Sequence, residues 1–124
     1  MTLKKSLLFV WLMIVFLAAC ADNTPVIGTY PKTGLASWYT AKITATGERA
    51  DNNDLTCAMR KIDFNKRYKV CNLANNKCVS VRQNNFGPSK YFYDQGRIID
   101  LSKAAFSRIA DLDEGVIKVI IGEE

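Results

Sequence analysis

The sequence predicts a small all-β barrel with one short helix. Three observations carry the prediction. The foldable part is confined to about residues 34–122, one domain with room for only a limited core. That stretch is a series of short alternating or apolar runs separated by Gly, Asn, Asp and Pro. Only one segment has apolar residues at helical spacing, which argues against a parallel α/β sheet.

The elements follow in order. Gly34–Ala41 (GLASWYTA) reads as a first strand, with Leu35, Ser37 and Tyr39 on one face and Ala36, Trp38 and Thr40 on the other. Trp38 and Tyr39 therefore point to opposite sides, one into the core and the other free for a ligand. Lys42–Asp54 is a loop of turn formers around Gly47, with Glu48 near its tip. LTCAM (55–59) is a short strand, and KRYKVCNL and KCVSVRQ form a hairpin through Asn75 and Asn76. In VSVRQNNFGP (79–88) the alternation is expected to give way to a loop at the amides Gln83, Asn84 and Asn85. RIIDLS (97–102) is a strand ending in Ser102, a suitable N-cap for KAAFSRIADL, where Ala105, Phe106 and Ile109 would face the core. After Gly115, VIKVIIG is the last strand.

The N-terminus predicts the compartment. Two lysines precede an uncharged apolar run, Leu7–Ala19, too short to span a bilayer comfortably and suited to a signal-peptide core. It ends in LAAC, the pattern of a bacterial lipoprotein signal, so residues 1–19 are expected to be removed and Cys20 acylated; an ordinary signal peptide or a short anchor is the alternative. More than one acyl chain gives stable anchoring at the periplasmic face. Ala21 after the cysteine favours the outer over the inner membrane. Residues 20–33, with both early prolines and no periodicity, read as a tether.

Charge narrows the partners. The chain has 17 basic and 12 acidic residues, net +5, which falls to +3 without Lys4 and Lys5. This is mild, and no basic-aromatic pattern argues for nucleic acid. Anionic wall polymer or membrane surface suits the composition better. No histidine and no close Cys-x-x-Cys pair are present, so neither a metal nor another cofactor is expected. Cys57, Cys71 and Cys78 allow one intramolecular bridge in an oxidising compartment. Cys71 and Cys78 flank the predicted turn and are the preferred pair; a pair using Cys57 is the alternative.

GLASWYT, TATGERADNNDLTCAM, YKVCNLANNKCVSVRQNNFGP and GRIIDLSKAAFSRI, in this order and at these spacings, resemble the RlpA (rare lipoprotein A) family of septal lytic transglycosylases. The resemblance covers Gly34–Ile121. It implies a six-stranded double-psi β-barrel, related to barwin and expansin barrels, with a groove for a glycan strand. Its active members cleave peptidoglycan without water and leave a 1,6-anhydro-muramic acid end. Such chemistry needs an acid for the glycosidic oxygen and a group that stabilises the oxocarbenium-like centre.

Carried across by position, Glu48 in TGERAD stands where the family has its essential glutamate. Without the resemblance it would be an ordinary solvated acid. Met59 in TCAM stands where the family has histidine. In NNFGP, Asn85 replaces an aspartate and Phe86 an arginine. Asp100 in IIDLS is retained as a second catalytic candidate, although helix-start capping also accounts for an acid there. Tyr39, Arg82, Asn85 and Arg97 are the candidate sugar-contacting residues.

Asn85 keeps an aspartate's size and hydrogen bonding without its charge, and Met59 shuttles no proton. The expectation is a lipid-anchored envelope protein that binds glycan strands with weakened or absent cleavage. One alternative is an active lytic enzyme using Glu48 as acid and base; another is an envelope protein-interaction or inhibitor module, with a cell-division or envelope protein as partner.

Overall fold

A computed structural model describes residues 30–124 apart from 51 and 52. The predicted leader, the acylation site Cys20 and most of the tether lie outside the described residues. Six strands close into a barrel: β1 (Lys32–Tyr39), β2 (Thr56–Met59), β3 (Arg67–Asn72), β4 (Cys78–Phe86), β5 (Arg97–Ser102) and β6 (Val116–Glu123), in the order β1-β5-β2-β4-β3-β6. β1 runs parallel to β5 and β2 parallel to β4, and the other neighbours are antiparallel. Closure leaves no sheet edge open.

The alternating runs account for the strands. In β3, β4 and β6 the residues Tyr68, Val70, Val79, Val81, Ile117, Val119 and Ile121 point inward, while the intervening Lys, Arg and Ser residues face out. β1 starts at Lys32 rather than Gly34, because Lys32 and Thr33 pair with Ile121 and Ile120. Those two residues belong to the barrel and not to the tether. Gly34 is required by packing: a Cβ there would lie 2.8 Å from Ile98 side-chain carbons on the neighbouring strand.

Two helices flank β5, where sequence reasoning expects one. α1 (Lys90–Asp94) buries none of its residues, so it shows no apolar stripe for periodicity to detect. α2 (Lys103–Ile109) follows as expected: Ser102 Oγ accepts from Ala105 N, and Ala105, Phe106 and Ile109 are fully buried. Burial of side chains the size of Phe106 and Ile109 contributes about 1.5–3 kcal/mol each. A 3-10 turn at Leu112–Glu114 carries a capping box from Asp111 to Glu114.

The hairpin between β3 and β4 places Cys71 opposite Cys78, and the two are bridged. Asn76 takes a left-handed conformation in its turn. Cys57 is a free thiol, buried in the core, where loss of hydration pushes its pKa up and keeps it unreactive. A Cys20→Ser protein is thus expected to show no thiol accessible to a membrane-impermeant reagent when native and one after denaturation without reductant. Three after denaturation would contradict the bridge.

Candidate functional site

The three amides that open the Gly-Pro segment are not in a loop. β4 continues through Phe86, and β2 pairs with it across a bulge, Cys57 with Gln83 and Ala58 with Asn85. The apolar-to-polar switch misleads because a polar side chain inside a barrel is tolerated once it is fully hydrogen-bonded. Gln83 meets that condition. Its Nε2 donates to the carbonyls of Met59, Lys61 and Asn85, and its Oε1 accepts from Asp63 N, tying the β2–β3 connection to β4. Asn84, at the bulge, is buried, and its Oδ1 is the buried side-chain acceptor left without a partner among the described residues.

Asn85 turns toward the barrel mouth. Its Oδ1 accepts from the backbone N–H groups of Ala45 and Phe86, 3.0 Å each, and its Nδ2 donates to Tyr39 Oη at 3.3 Å. Two backbone donors on one oxygen make a cradle that would also hold a carboxylate. Tyr39 is half-buried, and burial raises its phenol pKa.

Asp100 lies at the centre of the same end, paired to Ser37 of β1 and Ala58 of β2. Ser37 Oγ donates to Asp100 Oδ1 at 2.5 Å. Burial pushes the Asp100 carboxyl above its ordinary value, against smaller opposing effects of the Ser37 hydroxyl and the Arg97 charge. Gly87, at φ +154°, brings the backbone over Asp100 Oδ2; a Cβ there would sit 3.7 Å from that oxygen.

Glu48 has the opposite environment. The loop from β1 to β2 lies across β4, with Thr46 N donating to Asn84 O. This delivers Glu48 to Arg82, whose Nη1 and Nη2 hold its two carboxylate oxygens at 2.9 and 2.8 Å; Thr46 Oγ1 adds a third bond. The Arg82 and Thr46 hydrogen bonds lower the Glu48 pKa to about 2. The site therefore contains two carboxyl groups whose environments push their pKa values apart, and Asp100 is the one that holds a proton more readily.

This geometry redistributes the residues expected from sequence. Tyr39, Asn85 and Asp100 sit together. Arg82 is not a free sugar contact, because Glu48 and Asn65 take its guanidinium. Glu48, expected as the acid, is held as a carboxylate. Met59 is 5% exposed and belongs to the hydrophobic core. Arg97 stays near Asp100 but lies over the Phe92 ring, 4.1 Å from its centroid. Sequence reasoning misses Ser37: its place on the Tyr39 face is legible, but its partner comes from another strand, 63 residues later.

The Glu48–Arg82 pair has a measurable consequence. A carboxylate whose folded-state pKa lies below its unfolded value stabilises the fold above roughly pH 4–5, and loses that contribution as pH falls toward about 2. The pair is partly exposed, so the effect stays below about 1 kcal/mol. Glu48→Gln should accordingly lower the urea midpoint at pH 7, and the two proteins should converge between pH 5 and pH 2.

A closed six-stranded barrel with two parallel strand pairs, carrying polar side chains at one mouth, is a double-psi β-barrel. The family described as lytic transglycolase matches residues 31–121. The chain is 43% identical over 94 residues to the probable endolytic peptidoglycan transglycosylase RlpA of Synechocystis sp., covering 73% of this chain and 28% of that protein. It is 42% identical over 90 residues to the endolytic peptidoglycan transglycosylase RlpA of Campylobacter jejuni, covering 69% and 31%. The protein of the same name from Neisseria meningitidis serogroup A is 35% identical over 99 residues, covering 77% and 40%. The chain thus belongs to the RlpA family, and spans less than half the length of these relatives. Among solved structures, the Streptomyces papain inhibitor superposes with a TM-score of 0.58 at 26% identity, over 74% of this chain and 94% of that one.

Proposed function

We propose that this chain is a lipid-anchored protein of the cell envelope whose barrel mouth binds peptidoglycan glycan strands and cleaves them only weakly. Family membership and the names of the relatives support peptidoglycan as the substrate class. The leader pattern ending at Cys20 supports the anchor and an outer-membrane location. The observation that carries weak cleavage is the pairing of Glu48 with Arg82, beside a neutral Asn85.

Asp100 supplies the chemistry that remains. Protonated, it donates to the glycosidic oxygen as that bond breaks. It then takes the proton of the muramyl C6 hydroxyl as that oxygen bonds to C1, closing the 1,6-anhydro ring with no water consumed. Stabilisation of the intervening positive charge is what the site lacks: Arg82 neutralises Glu48, and Asn85 carries no charge.

The test is incubation of the protein with denuded sacculi, measuring pull-down and release of anhydro-muropeptides together. Retention on sacculi with slow release is expected. Release as fast as that of an active relative assayed in parallel would overturn the weak-cleavage reading, and no retention would overturn the glycan reading. A second reading, an inhibitor or protein-interaction barrel, draws on the likeness to the papain inhibitor. It predicts inhibition of a cysteine protease by a protein that ignores sacculi.

A further inference from the structure

One side of the barrel, running down from the mouth, carries cations laid on aromatic rings. The Arg60 guanidinium lies 5.2 Å from the Phe86 ring centroid and 5.7 Å from that of Tyr93, and its Nη1 donates to Pro88 O at 3.2 Å. Arg97 lies 4.1 Å from the Phe92 centroid. Lys32 donates to Tyr93 Oη at 3.1 Å and also sits over that ring. Phe86 is 47% exposed and Phe92 39%, so these two rings form an open ledge, backed by Tyr93, which packs against the core.

None of Arg60, Arg97 and Lys32 makes an ion pair among the described residues; the pairs present use Lys66, Arg67 and Arg82. A guanidinium packed on a ring is held in orientation yet keeps donors for a planar, two-oxygen acceptor. Ring contacts by themselves explain an isolated surface arginine. They do not explain why Arg60, Arg97 and Lys32, none with an acidic partner among the described residues, all lie against Phe86 or the rings of α1.

The ledge is continuous with the Asp100 site. Phe86 pairs with Met59, one residue beyond Ala58, which pairs with Asp100. Arg97 opens the strand that carries Asp100, and its charge acts on that carboxyl. A strand seated at Asp100 would run onto it.

We propose that Arg60 and Arg97, held by Phe86, Tyr93 and Phe92, form a carboxylate-binding subsite beside Asp100, which seats a carboxylate of the glycan strand. Two sources offer that chemistry: the lactyl group of muramic acid and the stem peptide. The subsite rests on the reading of the barrel mouth as a glycan site. It adds charge recognition to a groove in which Tyr39 and Asn85 are neutral.

The test compares the full-length protein in detergent with its Arg60→Gln and Arg97→Gln variants, each checked for an unchanged melting curve. Three probes of equal length are titrated: N-acetylglucosamine oligomers without carboxylates, denuded muramyl-glucosaminyl strands, and the same strands with stem peptides. The native protein should bind a carboxylated strand roughly tenfold more tightly than the neutral oligomer, an advantage that shrinks with salt. Each variant should lose most of that advantage, and Arg60→Gln should keep its affinity for the neutral oligomer. Preference for denuded strands assigns the lactyl carboxylate, and preference appearing only with stem peptides assigns the peptide. Equal binding of all three probes, or a preference untouched in both variants, would overturn the subsite alone. No binding to any probe would overturn the glycan reading as well.

Discussion

Asn85→Asp is expected to raise the release of anhydro-muropeptides from denuded sacculi by roughly two orders of magnitude, the scale of one restored electrostatic contact in a transition state. The backbone donors of Ala45 and Phe86 already converge on Oδ1. The third contact reverses without moving a heavy atom, since the Tyr39 hydroxyl hydrogen turns and Oη donates to the carboxylate instead of accepting from Asn85 Nδ2. A second negative charge at this mouth also raises the Asp100 pKa further, so more of that acid stands protonated at neutral pH. Unchanged release by a stably folded Asn85→Asp protein would mean that charge at this position is not what limits the chemistry. Met59→His is not its equivalent. Met59 is a core residue, and an imidazole there costs packing and buries a polar group.

Asp100→Asn is the second large effect, and it moves activity and stability in opposite directions. Removing the proposed proton donor should bring release down to the uncatalysed background, a loss of about 10²-fold or more for a general acid. Stability at neutral pH should rise. A buried acid whose folded-state pKa lies above its unfolded value is disfavoured in its charged form, so it destabilises the fold as pH climbs through that range and costs nothing once protonated. The asparagine oxygen still accepts from Ser37 Oγ, so no hydrogen bond is lost. Thermal melts should therefore show a higher Tm for the variant at pH 7 and a gap that closes below about pH 4, where the aspartate is protonated in both states. A variant less stable than the native chain at pH 7 would contradict the buried-acid assignment.

The opposed fates of Glu48 and Asp100 mark the limit of reading sites from sequence. Glu48 stands out by its motif, yet its chemistry depends on a residue 34 positions away in β4. Arg82 is legible only as an exposed position in an alternating run. Asp100 is legible either as a helix-start acid or as a site residue. What decides is that Ser102, two residues on, does the capping and leaves Asp100 free to face Ser37 and the mouth.

The amino-acid sequence by itself determined the barrel. Alternation in the paired strands, the asparagines of the hairpin turn, the Ser102 cap and the apolar stripe of α2 are local signals, and each acts within a few residues. The one-turn helix α1 and the continuation of β4 through its amides escaped those signals, because the first buries nothing and the second is polar inside. Tertiary structure alone decided which amide is structural and which faces the site, which acid is paired and which is buried, and where unpaired cations gather. The physical reason is that hydrogen bonding, desolvation and charge pairing act through space between strands distant in sequence, and barrel closure sets those distances.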